Sequence, residues 1–335
     1  MNTTKTYRKL HGTMHCKDTR PCVSTVATSL IIALIMMVAG FTSCDDWNIP
    51  QPVEIDVKTP KEQNPELWAH YMDVLKNYKQ SKHFIVYGRF NNGAEKPAGA
   101  GQLLRSMPDS LDVVSLVNAD KMTGFDRADI AVVQEKSTKV LYCVNFAAKS
   151  AELSDAGKLG AFLDKAVADA AELNMDGFSF TGIPLYGGSE AERAWRKEAA
   201  KLIVQKLSAV AGAGKEKLLV FEGNPAFVAE EDIAKLSYVA LDTEKTGNIT
   251  DLKLQVSLAL SHKGLSKDKL LLTALPDGEI TNEENVKKPA IAELTDRVAA
   301  LGPLAGMAIA DIDKDYYDPA KSYSRTRQAI RLMNP

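Results

Sequence analysis

Between residues 83 and 312, apolar β-rich runs recur every 21 to 40 residues, and the stretches between several of them carry helical spacing. The runs are HFIVY from His83, LDVVSLV from Leu111, KVLYCVNF from Lys139, GFSFTGI from Gly177, KLLVF from Lys217, YVAL from Tyr238, KLLLTAL from Lys269 and GMAIADI from Gly306. The clearest helices place Leu159, Phe162, Leu163, Ala166, Val167 and Ala170 on one face, and Trp195, Ala199, Leu202, Ile203, Leu207 and Val210 on another. Continuous Val/Ile/Leu runs alternating with amphipathic helices predict a parallel sheet covered on its outer face. Eight such units in roughly 250 residues predict an α/β chain forming a single (β/α)8 TIM barrel rather than an open doubly wound sheet. The first βα loop has no GxGxxG, so a nucleotide cofactor has little support, and no cofactor of any kind is expected.

The N-terminal pattern differs. No charged side chain occurs from Pro21 to Cys44, and Leu30 to Phe41 is a continuous apolar run preceded by Lys5, Arg8, Lys9, Lys17 and Arg20. A bilayer crossing needs ~20 apolar residues, so this shorter run suits a signal-peptide core. FTSC, ending at Cys44, looks like the lipobox at which bacterial lipoproteins are cut and acylated on the new N-terminal cysteine. The acidic pair Asp45 and Asp46 resembles the export signal of surface lipoproteins in Gram-negative glycan-foraging bacteria. An ordinary secretory signal or an uncleaved anchor is the alternative, and either Met1 or Met14 serves as a start. The expected organisation is a signal peptide over 1–43, a Pro-rich acidic tether over 44–62, and a barrel over 63–335. The expected location is the outer membrane, lipid-anchored and facing the exterior.

Removing residues 1–43 takes away five Lys/Arg and one Asp, which moves the net charge from −2 to −6 and argues against a nucleic-acid partner. Of the four cysteines, only Cys143 would then remain unmodified, so no intramolecular disulfide is possible. His70, His83 and His262 lack ligand spacing, and IDKDYYD lacks the glycine and final glutamate of a calcium loop, so no metal is expected.

The fourth run carries the chemistry worth reading closely. DGFSFTGI, Asp176 to Ile183, resembles in place and frame the DGxDxDxE motif of family 18 glycoside hydrolases, the chitinases and endo-β-N-acetylglucosaminidases. Asp176 and Gly177 match that motif literally, whereas Ser179, Thr181 and Ile183 stand where the family has Asp, Asp and the proton-donating Glu. Strand alternation turns Ser179, Thr181 and Ile183 to one side, and the resemblance implies that side is the barrel interior. Isoleucine cannot protonate a leaving oxygen, and a lost general acid alone costs ~100-fold to 10,000-fold in rate. The resemblance therefore implies a barrel that kept its groove and lost the family's hydrolysis, with no catalytic residue at the motif. The alternative reading of DGFSFTGI is an ordinary buried strand, with Asp176 a turn residue.

Other strand ends carry acids: Glu222, Asp242, Glu244, Asp277, Asp311, Asp313 and Asp315. Glu222 and Asp242 are the fallback pair for an active endo-β-N-acetylglucosaminidase or other glycosidase with relocated carboxylates, although acids at such positions more often bond loop backbone. Asp242 also resembles the family's sixth-strand Tyr-Asp site, with a longer spacing from Tyr238. Sugar recognition needs aromatic faces and planar polar groups at the same rim. The candidate faces are Tyr87, Phe90, Phe146, Tyr186, Phe221, Tyr316 and Tyr317, and the candidate hydrogen-bonders are Arg89, Asn91, Asn145, Glu222, Asn224 and Asp242. The expected glycan-binding set is Tyr87, Arg89, Asn145, Thr181, Tyr186, Glu222, Asn224 and Asp242. The ligand that the resemblance implies is an N-acetylglucosamine-containing glycan of N-glycan or chitin type, held for neighbouring surface hydrolases or an outer-membrane importer. A rim that serves only protein assembly is a third possibility.

Overall fold

Each of the eight apolar runs becomes a strand. They are β1 (Ile85–Phe90), β2 (Val113–Leu116), β3 (Lys139–Val144), β4 (Gly177–Thr181), β5 (Leu218–Glu222), β6 (Tyr238–Leu241), β7 (Leu270–Ala274) and β10 (Gly306–Ile309), and they close into a parallel barrel ordered β1-β10-β7-β6-β5-β4-β3-β2. A small antiparallel ribbon, β8 (Glu279–Thr281) and β9 (Lys287–Pro289), decorates the loop after β7. The computed structural model describes residues 58–300 and 302–335. The expected signal peptide, Cys44 and most of the expected tether lie outside the described residues. The end of the tether stretch is helical, since Pro60 opens a short helix.

The helices are α1 (Pro60–Gln63), α2 (Pro65–Gln80), α3 (Gly124–Glu135), α4 (Phe146–Lys149), α5 (Ala156–Glu172), α6 (Glu190–Ser208), α7 (Glu230–Ile233), α8 (Ile249–Leu260), α9 (Ala290–Ala300) and α10 (Ser324–Met333). Their starts are chemically marked. Thr123 with Asp126 and Ser189 with Glu192 form reciprocal capping boxes at α3 and α6, while Asp155 and Asn248 cap α5 and α8. The fifth βα unit is abbreviated: after β5 come only a 3-10 turn, Pro225–Phe227, and the four-residue α7. The neighbouring α8 exposes Leu254 and Leu258. Among the described residues, no helix is long and apolar enough to cross a membrane.

Strand alternation divides the core in two. Tyr87, Val113, Leu141, Val220, Ala240, Leu271 and Ala308 fill the barrel interior, whereas Val86, Phe90, Val114, Tyr142, Phe178, Phe180 and Phe221 face the helices. The N-terminal end of the barrel is closed by backbone-capping acids. Asp112 accepts from Val86 N and His83 Nε2, each at 2.8 Å. Asp176 accepts from Val140 N at 2.9 Å, Gln134 Nε2 at 2.8 Å and Lys139 Nζ at 3.1 Å. Gly177 follows at φ +141°, and a Cβ there would lie 2.0 Å from Leu218 O. The two literal motif matches thus serve the strand's start, at the end of the barrel opposite the rim where sites form.

Candidate functional site

Above the apolar interior layer, the inward positions become polar toward the strands' C-terminal ends. Ser115 and Ser179 share a hydrogen bond of 2.7 Å inside the barrel. Cys143 lies beside them, fully buried, and burial first, then the charge on Glu222, pushes its thiol up to about 12, so it stays a neutral thiol rather than a nucleophile. The next layer holds Glu222, which the β4–β5 register sets directly across from Thr181. Tyr87 O–H donates to Glu222 Oε1 at 2.6 Å, and Arg89 Nε stands 3.0 Å from Oε2. That Arg89 contact is ionic rather than a formed hydrogen bond, because the N–H is not aimed at the oxygen and both atoms otherwise lack a partner. Arg89 Nη1 donates to Glu244 Oε1 at 2.6 Å.

One arginine is therefore shared by two carboxylates. Burial works against the Arg89 cation, but Glu222 and Glu244 outweigh it and raise its pKa further. Burial raises the Tyr87 hydroxyl's pKa well above its usual value, and Glu222 adds to the effect. Burial likewise raises the carboxyl of Glu244; Arg89 pulls it down, while Asp242, Asp311 and Glu222 push it up. Glu244 is held in place by its neighbour Thr243, whose Oγ1 donates to Thr273 O at 2.6 Å and accepts from Thr273 N at 2.9 Å, tying the end of β6 to β7.

Across the mouth, Thr181 Oγ1 donates to Asn145 Oδ1 at 2.9 Å and accepts from Ala147 N at 3.0 Å. Tyr186 lies on the loop after β4, exposed, with its hydroxyl accepting from Asn224 Nδ2 at 3.2 Å. Gly182 lets that loop turn over Phe227, since a Cβ at Gly182 would come within 2.1 Å of the Phe227 ring. These groups line a cleft of about 710 Å³, which is within the usual range for small-molecule sites. The cleft runs from Arg89, Asn145 and Thr181 past Tyr186, Asn224 and Pro225 to Asp242, Glu244 and Lys245, and on to Gln255, Leu258 and His262 of α8 and the turn after it.

A polar cleft at the C-terminal mouth of a parallel eightfold barrel lies where barrels of this kind carry their sites. The chain resembles glycoside hydrolase family 18. The family model described as glycoside hydrolase family 18, BT1044-like, matches residues 50–158, a segment that ends before β4. No curated protein matches. Among solved structures, a selenomethionine form of a BT1044 variant aligns with a TM-score of 0.65 and 18% identity, over 83% of this chain and 96% of that one. An endo-β-N-acetylglucosaminidase from Cordyceps militaris in apo form gives a TM-score of 0.59 and 18% identity, over 79% of this chain and 96% of the other. A chitinase-like agglutinin from Robinia pseudoacacia gives 0.54 and 13% identity, over 74% and 99%. At these identities the solved structures establish the barrel fold.

The structure sorts the expected site residues of this family 18-like barrel. Arg89, Asn145, Thr181, Tyr186, Glu222, Asn224 and Asp242 all line the cleft. Tyr87 does not: it is wholly buried beneath Glu222, so its ring offers no face to a ligand. Phe90, Phe146 and Phe221 are also corrected, because each points outward into the shell between barrel and helices. Ile183 falls beyond the end of β4 and is absent from the cleft lining, while Ser179 is sealed inside the barrel. Tyr238 packs in the lower interior layer with Ile85 and Leu218, so it makes no Tyr-Asp site with Asp242. Asn91 Nδ2 is engaged by Asp311 and Asp313 at 2.9 Å each. Tyr316 packs against the shell and Tyr317 is exposed, and neither lines the cleft.

Glu244 was the omission from the expected binding set, together with Lys245, Gln255 and His262. The TEK that follows Asp242 was visible in sequence, but its pairing with Arg89 spans 155 residues and leaves no local trace.

Proposed function

We propose that this chain is a surface lipoprotein, acylated at Cys44 and anchored in the outer membrane, whose family 18-like barrel binds N-acetylglucosamine-containing glycans without hydrolysing them by the family's route. Capture for neighbouring surface hydrolases or an outer-membrane importer is the role this reading assigns it. One observation carries the loss of chemistry. β4 presents hydroxyls where a carboxylate pair is required, and Glu222, the carboxylate at the same height, is occluded with one oxygen bonded to Tyr87 and the other against Arg89. A general acid must reach the leaving oxygen, and a side chain only 3% exposed beneath Arg89 does not. The cleft still offers what sugar binding uses: an exposed tyrosine ring, the Asn145 side-chain amide, and a partly exposed guanidinium. One of the similar structures is, by its name, a chitinase-like agglutinin.

The test is to titrate the full chain with chitooligosaccharides and released N-glycans while assaying for products. Binding without turnover is expected. Tyr186→Ala is expected to weaken affinity by about 2 kcal/mol, roughly 30-fold, while Lys215→Ala at the opposite end leaves it unchanged. Product formation that disappears in Asp242→Asn or Glu222→Gln would instead establish an active glycosidase with relocated carboxylates.

The anchor has its own test. Cys44→Ala is expected to abolish acyl-chain labelling and signal-peptidase II processing. A mutant that still labels with palmitate and stays membrane-bound places the anchor elsewhere.

A further inference from the structure

The floor of the cleft is an ion cluster with its charges unbalanced. Among the described residues, Arg89 is the only cation in it, and its guanidinium meets Glu222 at 3.0 Å and Glu244 at 2.6 Å. Two carboxylates with side-chain exposures of 3% and 19% thus share one positive charge. A third acid, Asp242, lines the same cleft. Lys245 also lines it; it and Asp242 are both exposed, so solvent screens these two, and the imbalance rests on the less exposed Glu222 and Glu244 against Arg89. Asp311, on the neighbouring strand end, is already held by Lys314 at 2.7 Å and Asn91 at 2.9 Å, so it neither supplies nor needs a partner here. A half-buried carboxylate left over from such a cluster is stabilised by any cation that completes it, and a partly desolvated pair is worth more than an exposed one. The upward shift of the Glu244 carboxyl, raised by burial and by the acids around it despite Arg89, marks the same uncompensated charge.

We propose that the cleft selects glycans that carry a free amino group, units of glucosamine whose acetyl group is missing, with the sugar's ammonium seated against Glu244 and Asp242. This rests on the reading of the cleft as a glycan site and specifies its ligand. The same cluster repels uronic acids and sulfated sugars, because the one buried guanidinium is already committed to two carboxylates and has no charge to offer a third anion. A neutral N-acetylglucosamine ring gains the stacking and amide contacts but leaves the Glu244 charge unanswered. Selectivity for the amine is therefore electrostatic and falls with salt, while the contacts common to both ligands do not.

Calorimetry on the full chain at about pH 6, where most of the sugar amine is protonated and ordinary carboxylates are ionised, separates the possibilities. The probes are β-1,4-linked tetramers of glucosamine, of N-acetylglucosamine, and of a uronic acid. The glucosamine tetramer is expected to bind about fivefold or more tighter than its acetylated counterpart at low salt, with the ratio falling as salt is raised. The uronic acid tetramer is expected not to bind. Glu244→Gln is expected to remove most of the preference, whereas Asp73→Asn, the same charge change on α2, keeps it and excludes attraction to the protein's general negative charge. Acetylated tetramer binding as well as or better than the amine overturns the proposal and leaves the glycan site standing. Binding by none of the three overturns both.

Discussion

Replacing Glu222 by alanine is expected to lower the free energy of unfolding by about 3 to 5 kcal/mol, the usual penalty for breaking a buried charge cluster by removing one partner. The loss has two sources. Tyr87 is wholly buried and its hydroxyl would have no acceptor, and Arg89 would keep only Glu244. Glu222→Gln retains an oxygen for Tyr87 and gives up only the charge, so a smaller loss of about 2 kcal/mol is expected. Urea denaturation followed by circular dichroism reads both as shifts of the midpoint at constant slope. A loss under about 1 kcal/mol for the alanine variant would mean that Glu222 is not the buried hub described above, and would return it to the set of groups free to act on a ligand.

Gly177→Ala is expected to be at least as damaging as a core truncation, with a loss of about 3 kcal/mol or more. Its φ of +141° is strained for any residue with a side chain, and the added Cβ would sit 2.0 Å from Leu218 O and 2.6 Å from Leu218 N. The neighbour is backbone of the paired strand β5, so relief requires moving the strand rather than rotating a side chain. Gly160→Ala is the informative control, because a Cβ there meets nothing within 4 Å and the residue lies inside α5. That variant is expected to gain about 0.5 to 1 kcal/mol. Thermal unfolding of the two side by side checks the pair. Similar melting temperatures would show that β4 does not start as described.

The barrel was legible because its signal is repeated: eight apolar runs, most of them separated by helical stretches, leave little room for another closed topology. The polar half of the site was legible for the same reason, since residues at strand ends sit at the mouth whatever their detailed contacts. The aromatic half was misread, although the sequence held the information to correct it. Neighbouring residues on a strand face opposite ways, so Arg89 and Phe90, or Phe221 and Glu222, cannot both line the cleft. Choosing the polar member of each pair sends the phenylalanines outward, where the structure has them. Tyr87 is subtler. It shares the inward direction with Arg89 but lies one layer deeper, and depth is set by strand tilt and register around the closed barrel, which single runs do not reveal. The pairing of Arg89 with both Glu222 and Glu244 depends on that closure too.

The abbreviated fifth unit bears on which ligands the proposed glycan site would accept. With only α7 between β5 and β6, the cleft continues from the mouth past Pro225 to Gln255 and Leu258 on α8. A ligand can therefore lie across the molecule instead of entering by its terminus. For the glycan binding proposed above, a cross-linked or insoluble polymer, whose free ends are scarce, would offer sites in proportion to its accessible length, and a single strand could carry several copies of the protein at once.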